Sequence, residues 1–251
     1  MRHVLTAALV ALFLGSVAPA VRADTETAET ISREELHGEI RDYLLGNPEI
    51  MMEMMALLED RQRAEAAADD KALVADNAAA IFDDGFSHVA GNPDGDVTIV
   101  EFLDYQCGYC RRAHPEVIEL LADDGNIRWI IKEFPILGPD SELAARAAVA
   151  TLMIAGGDAY EALHDLMMTH SGPVNDAALD DLLTDAGLDP GGIRAGMEDP
   201  EVTRRLVETR ALAETMAISG TPTFIFGDTL ARGYLPLDQM RDVVAGVREG
   251  S

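Results

Sequence analysis

Only two of the 251 residues are cysteine, Cys107 and Cys110. A multi-bridge disulfide scaffold is therefore excluded, and the core must come from packing. Basic residues are also scarce: 19 Lys and Arg stand against 45 Asp and Glu, a formal charge of −26. Nucleic acid is excluded as a partner, because binding a polyanion needs clustered cations to neutralise its phosphates. The acidity itself reads as solubility. Beyond the N-terminal segment, no apolar run approaches the roughly 20 residues that span a bilayer. The sequence holds no fixed-period repeat and no low-complexity tract. What is left is a chain 48% apolar and 25% charged, the composition of a globular protein with room for one or two domains.

The first residues have the pattern of a secretory leader. Arg2 and His3 form a short basic start, residues 4–17 are apolar and uncharged, and Val21-Arg22-Ala23 offers small residues for a signal peptidase. Ala18-Pro19-Ala20 is an alternative cleavage site, and an uncleaved anchor is the alternative to cleavage. The expectation is a signal peptide over residues 1–23, cleaved near Ala23, and a periplasmic product.

Ser32-x-x-Glu35 is a capping box that starts a helix carrying Leu36, Ile40, Tyr43 and Leu44 on one face. Gly46-Asn47-Pro48 stops it, and Asn47 is expected to cap the next helix with Pro48 at its first position. That second helix stripes Ile50, Met51, Met54, Leu57 and Leu58, then runs thin and Ala-rich toward Ala80. So little apolar surface rarely holds a long helix alone. The stripe packs either on the rest of the chain or on a second copy, which would make the region an oligomerisation arm. Met51, Met52, Met54 and Met55 read as apolar packing, with soft-metal ligation as the rival.

A turn cluster at residues 91–96 marks entry into the main domain. Residues 97–103 are β-branched and apolar, a strand buried on both faces. A helix follows from Cys107 toward Ala122, then a strand over 127–132, which implies a parallel pair. Residues 141–217 give four helical segments. Residues 223–226 and 229–232 form a hairpin around Gly227-Asp228, and a helix striped by Leu237, Met240, Val243, Val244 and Val247 closes the chain. The fold class is α/β, in the order βαβ, all-helical insertion, ββα.

Cys107-Gly108-Tyr109-Cys110 brings two sulfurs together at a helix start, where free amides and the helix dipole favour an anion. Cys107 is expected to be the nucleophilic thiolate, and Cys110, one turn in and less exposed, the resolving thiol. Two readings compete with redox exchange. Cys107, Cys110 and His114 share a helix face and could bind zinc or copper, but no fourth ligand is evident. A purely structural bridge would close too short a loop to stabilise much. Gly220-Thr221-Pro222-Thr223-Phe224 is a second signal, since proline directly before a strand suits its first residue or an edge. A cis Thr221–Pro222 bond would place a backbone edge in a turn.

Taken together, residues 100–110, the helical insertion and Gly220-Thr221-Pro222-Thr223-Phe224 resemble the DsbA-like branch of the thioredoxin superfamily, over residues 97 to about 249. The resemblance implies a thioredoxin-like fold with the N-terminal helical extension as an addition. It implies that Pro222 is a cis-proline facing the cysteines, that Thr221 contacts substrate backbone, and that Glu101 is a buried acid exchanging protons with Cys110. The bare reading of Glu101 is a residue on a solvated face. Lys132 would be its partner. Gly108 and Tyr109 replace the Pro-His of DsbA itself. Tyr cannot supply a positive charge, so a strongly oxidising character is not implied. Arg111 and Arg112 could compensate, or could simply line a solvated helix face. The extension is similar to the arms of the suppressor-of-copper-sensitivity (ScsC) proteins, some of which are oligomeric isomerases.

The expected organisation is therefore a signal peptide over 1–23, a helical extension over 24–90 and a thioredoxin-like domain over 91–251 with its insertion at about 139–217. The expected activity is forming or isomerising disulfides in exported cysteine-containing proteins. It needs no cofactor beyond the Cys107–Cys110 pair, and it calls for a membrane redox partner and a homo-oligomer through the N-terminal helices. A metal-handling protein and a helical-arm scaffold or chaperone are the alternatives.

Overall fold

The computed structural model of the protein describes residues 31–250, so the expected leader and its cleavage site near Ala23 lie outside the described residues. The chain divides into two units, one ending at Ala56 and one beginning at Leu57.

In the first unit, α1 (Arg33–Gly46) opens on the expected capping box. Ser32 Oγ accepts from the Glu35 amide at 3.2 Å, and the Glu35 carboxylate accepts from the Ser32 amide at 3.0 Å. Two orphan donors of the first turn are thereby satisfied. Asn47 does not act as expected on the next helix. Its side-chain amide donates back to the Tyr43 carbonyl at 2.7 Å and closes α1. No residue of α1 is buried. Leu36, Ile40, Tyr43, Leu44 and the Met cluster are all exposed. Helix α2 (Glu49–Asp76) crosses the division.

In the second unit, the last turns of α2 bury Val74 and fasten through a two-pronged Asp70–Arg232 pair, with Lys71 on Asp228. Helix α3 (Ala78–Phe82) buries Ile81. Strand β1 (His88–Gly91) follows, then β2 (Val97–Leu103), α4 (Gly108–Asp124) and β3 (Ile127–Glu133). The helical block is α5 (Pro139–Ala155), α6 (Gly157–Thr169), α7 (Asp176–Asp185), α8 (Pro190–Met197) and α9 (Pro200–Thr215). The hairpin β4 (Thr223–Phe226) and β5 (Thr229–Arg232) and the helix α10 (Leu237–Glu249) complete the order. Among the described residues the sheet has five strands in the order β1-β3-β2-β4-β5. The central β2–β3 pair is parallel, as its intervening helix requires, and the other pairs are antiparallel.

Two elements were not foreseen. Strand β1 has only four residues, too few for a readable alternation, yet it pairs antiparallel along β3 from His88 opposite Ile131. The sheet thus begins ahead of the turn expected to open the domain at Gly91. Helix α8 opens Pro-Gly-Gly, weak helix formers. Asp189 compensates by accepting from the Gly191 and Gly192 amides at 3.2 and 3.0 Å. The turn before β2 requires glycine for steric reasons: a Cβ on Gly95 would lie 2.6 Å from the Arg128 amide nitrogen and the Asn126 carbonyl oxygen.

Strand parity organises the interior. Side chains alternate across a sheet, so odd-numbered residues of β2 and β3 share one face and even-numbered ones the other. Val97, Ile99, Leu103, Ile127, Trp129 and Ile131 pack with α4 and the helical block. Val100, Phe102 and Ile130 pack with Val74, Ile81 and Met216 on the opposite face. Apolar burial on both faces is what lets β2 and β3 read as near-continuous hydrophobic runs.

Candidate active site

Strand β2 ends at Leu103, and the chain turns through Asp104-Tyr105-Gln106 into α4. Buried Asp104 holds the turn: its carboxylate accepts from the Gln106 amide at 2.8 Å and from the Ile136 and Leu137 amides at 2.8 and 3.1 Å. The turn delivers Cys107 to the N-cap of α4, with extended backbone and its amide on the Asp104 carbonyl at 3.0 Å. Both cysteines are free thiols. Cys107 retains 8% exposure, while Cys110, one turn inward, has none.

The two sulfurs differ electrostatically. The Cys110 thiol, the Thr221 side chain and the Cys110 and Tyr109 backbone amides all favour negative charge on the Cys107 sulfur. Against an opposing burial effect, these lower the Cys107 thiol to about 5. Burial pushes Cys110 far up, and the neighbouring sulfur and Glu101 add to the rise. One thiol therefore ionises easily and the other resists, the asymmetry expected of a nucleophile and a resolving thiol.

The Thr221–Pro222 bond is cis, and the Thr221 carbonyl oxygen lies 3.2 Å from Cys107 Sγ, within reach of the thiol proton. The turn between α9 and β4 thus faces the cysteines, as expected for Thr221 and Pro222. Gly108 and Tyr109 form the exposed first turn of α4. A Cβ on Gly108 would meet nothing within 4 Å, so packing does not demand glycine there.

Glu101 lies on the odd face of β2 and is buried, not solvated. Burial raises its carboxyl to about 8; the Trp129 indole opposes the rise, and charge on Cys107 and Glu133 adds to it. Lys132 is not its partner. Lys132 pairs in register with Phe102, on the even face, whereas Glu101 pairs with Ile131. The Lys132 ammonium turns away from the cysteines to the Ala80 carbonyl at 2.8 Å and to the Asp84 carboxylate.

The sequence reading missed a second buried acid, Glu133. It lies on the same face as Glu101 and accepts from Tyr105 and Tyr160 hydroxyls at 2.8 and 2.6 Å. Burial raises it to about 8 despite those two hydrogen bonds. His164 reaches the Tyr105 hydroxyl at 2.9 Å and packs against the His114 and Trp129 rings. The available signal was parity: Glu133 is two residues beyond Ile131 at the end of an apolar strand. Ending the strand at Lys132 concealed it.

His114 does not face the cysteines with an open ligand set. Its Nε2 lies 2.9 Å from the Asp165 carboxylate. Among the described residues, no group of three or more His, Cys, Asp or Glu is placed to hold a metal ion. Nor is any described helix long and apolar enough to cross a membrane.

The strand order, the cysteine pair capping a helix and the cis-proline turn facing it define a thioredoxin-fold dithiol protein. Comparison with known proteins narrows this. Residues 98–245 match the model of the DSBA-like thioredoxin domain, and residues 33–65 match the N-terminal domain of the copper resistance protein ScsC. The chain belongs to the DSBA-like thioredoxin-domain family, a thiol–disulfide oxidoreductase family, and carries an ScsC-type N-terminal region. A thioredoxin-like oxidoreductase from Silicibacter pomeroyi DSS-3 is 40% identical, with a TM-score of 0.66, covering 69% of this chain and 98% of that one. The catalytic domain of Proteus mirabilis ScsC is 25% identical, with a TM-score of 0.64, covering 70% and 97%. Among curated proteins, the Na(+)/H(+) antiporter NhaA 1 of Salinispora arenicola is 32% identical over 65% of this chain. The match spans only 25% of that antiporter's length, so it concerns one part of a larger protein.

Proposed function

We propose that this chain is an exported, periplasmic thiol–disulfide oxidoreductase in which Cys107 is the nucleophile and Cys110 the resolving thiol. One observation carries the reading. The Cys107 sulfur sits at the N-cap of α4 beside the cis-Pro222 turn, 3.2 Å from the Thr221 carbonyl, while the sulfur one turn below is sealed from solvent.

The Cys107 thiolate attacks one sulfur of a substrate disulfide. The substrate S–S bond breaks, its electron pair leaves with the other substrate sulfur, and that sulfur takes up a proton. Cys110 then gives its proton to the Glu101 carboxylate and attacks the Cys107 sulfur. The second substrate thiolate departs, leaving a Cys107–Cys110 disulfide and a substrate reduced by two electrons. Forming the mixed disulfide removes the Cys107 charge, one of the influences that hold Glu101 protonated. Glu101 is therefore ionised, and free to take the Cys110 proton, in a larger fraction of molecules at the step that needs an acceptor. Run in reverse, the sequence introduces a disulfide. In isomerisation, a second substrate thiol displaces Cys107 and no net electrons are exchanged. Thr221 and Pro222 line the approach of the substrate backbone, and Gly108 and Tyr109 form the exposed turn beside the thiolate, whose charge the Tyr109 and Cys110 amides favour. No cofactor beyond the cysteine pair enters these steps.

Residues 1–23 serve as the leader, 24–90 as a helical extension and 91–251 as the redox domain, with the insertion at about 139–217. Leu36, Ile40, Tyr43 and Leu44 are exposed on the extension, a face suited to joining copies of the chain. Redox domains gathered around a shared client favour reshuffling, so isomerisation of disulfides in exported proteins is the preferred direction. A membrane redox partner resets the pair. The test is refolding of scrambled ribonuclease by the full chain and by a version starting near Gly91, with the solution mass of both. Recovery confined to the associated full chain supports the isomerase. Absence of any thiol exchange by either version rejects the oxidoreductase reading.

A further inference from the structure

Most surface arginines of the second unit's redox domain are satisfied by a carboxylate, while Arg210 donates to the Pro135 carbonyl at 3.0 Å. Arg194, Arg204, Arg232, Arg241 and Arg248 all form ion pairs. Arg112 is the exception beside the cysteines. It lies in the second turn of α4, exposed, and among the described residues it has no carboxylate partner. Its guanidinium instead stacks 4.7 Å over the Tyr234 ring. Stacking occupies the face of the guanidinium; apart from a hydrogen-bonding influence on Tyr234, its edge donors meet no carboxylate among the described residues, the geometry that receives one. Neighbouring Arg111 is likewise not neutralised by contact: it donates to the Tyr105, His170 and Gly172 carbonyls.

The platform under Arg112 is fixed. The Tyr234 hydroxyl donates to Glu116 at 2.6 Å, whose other oxygen accepts from the Leu237 amide at 3.0 Å. The Gly233 amide donates to the Pro222 carbonyl at 2.9 Å, joining this loop to the cis-proline turn. Tyr109, 61% exposed in the first turn of α4, lies 6.0 Å from the Tyr234 ring. An aromatic surface topped by a guanidinium that no carboxylate contacts within ion-pair distance therefore adjoins the exposed Gly108-Tyr109 turn between the cysteines, in a protein that is otherwise strongly acidic.

We propose that the Tyr109–Tyr234–Arg112 platform is a subsite for the substrate that selects disulfides carrying a carboxylate close to the reacting sulfur, as in a peptide with an acidic residue beside its cysteine. The proposal rests on the oxidoreductase reading above and adds a substrate preference to it. Arg112 supplies a charge-assisted hydrogen bond to the incoming carboxylate, and Tyr109 covers the apolar part of the same side chain.

The test uses three small disulfides that differ in charge: anionic dithiodipropionate, neutral hydroxyethyl disulfide and cationic cystamine. Each is reacted with the full reduced chain and with its Arg112→Gln and Tyr234→Leu variants at one pH. The readout is the rate ratio of anionic to neutral disulfide, with cationic to neutral as the control for sign. The overall negative charge repels the anion almost equally in all three proteins, so a change in ratio isolates the local contact. The ratio is expected to fall about threefold to tenfold in Arg112→Gln, to fall in Tyr234→Leu, and to drop as salt is added to the parent chain. The cationic ratio should rise in Arg112→Gln. An unchanged anionic ratio in Arg112→Gln overturns the subsite while leaving the oxidoreductase intact. No reaction of the parent chain with the neutral disulfide overturns the oxidoreductase reading itself.

Discussion

Removing the Cys110 thiol should make Cys107 markedly less acidic, and the structure ranks this loss ahead of any other single donor. The donors to the Cys107 sulfur are, in order of influence, the Cys110 side chain, the Thr221 side chain, and the Cys110 and Tyr109 amides. Their sum brings the thiol from an ordinary 9.0 to about 5. At neutral pH an ordinary thiol is roughly 1% ionised and this one roughly 99%, about a hundredfold more nucleophile. Cys110→Ala removes the first donor and keeps both amides; Thr221→Val removes the second. Absorbance of the thiolate near 240 nm, followed from pH 3 to 10 in the reduced protein, should give a midpoint near 5 for the parent chain. Both variants should titrate higher, Cys110→Ala by more, on the order of one to two pH units. Stability follows the same difference. Between about 5 and 9 the unfolded chain holds a proton on Cys107 that the folded chain has released, so folding is favoured as pH rises. That contribution is complete above about 9 and is lost as pH falls through about 5. The gap in denaturation midpoint between the reduced parent and Cys107→Ala should therefore widen from pH 5 to 8. A parent midpoint near that of free cysteine, or a larger shift in Thr221→Val than in Cys110→Ala, would refute the assignment of donors.

Three further outcomes follow from the same geometry. Glu101→Gln should leave attack by Cys107 intact but slow its resolution, so that acid-quenched reactions accumulate the mixed disulfide. Glu133→Gln keeps an acceptor for Tyr105 and Tyr160 and removes a carboxyl held near 8 against an ordinary 4.5. Because that native acid binds its proton more tightly than the unfolded one, it weakens folding as pH rises from about 4.5 to 8, and the variant should gain up to about 3 kcal/mol at pH 7 by chemical denaturation. Lys132→Met leaves the half-buried Asp84 carboxylate with its Phe86 and Ser87 donors alone and should cost on the order of 1–3 kcal/mol of stability without moving the Cys107 titration; a shifted titration would place Lys132 in the site after all.

Legibility in the sequence tracked how local the cause was. The capping box at Ser32 and Glu35, the central strands and the Cys107 helix start depend on neighbours within a few residues, and each could be read directly. Asn47 shows the limit, because its amide had two helices within reach and the sequence could not rank them. Strand β1 and helix α8 went unseen because tertiary partners, not their own propensities, hold them: β3 for one and the Asp189 cap for the other. The exchange of Lys132 for Glu133 among the buried partners came from one misplaced strand end, and a single step along a strand changes its face.

That same parity determines what kind of electrostatics the site can use. Glu101 and Glu133 share the face under the cysteines, and the buried cation Lys132 is on the other. The forces that lower the Cys107 thiol are short-range donors and not a neighbouring positive charge. Contacts of this kind are barely screened by salt, whereas attraction between separated charges weakens over a Debye length of about 8 Å at physiological ionic strength. Raising salt from 20 mM to 1 M should therefore leave the Cys107 midpoint nearly unmoved while it erodes the preference for anionic disulfides. Measured on one protein in one salt series, the two quantities separate the chemistry of the sulfur from the recognition beside it. A midpoint that climbs with salt would mean that Arg111 or Arg112 stabilises the thiolate through its charge, and the hydrogen-bond account of the low pKa would then fail.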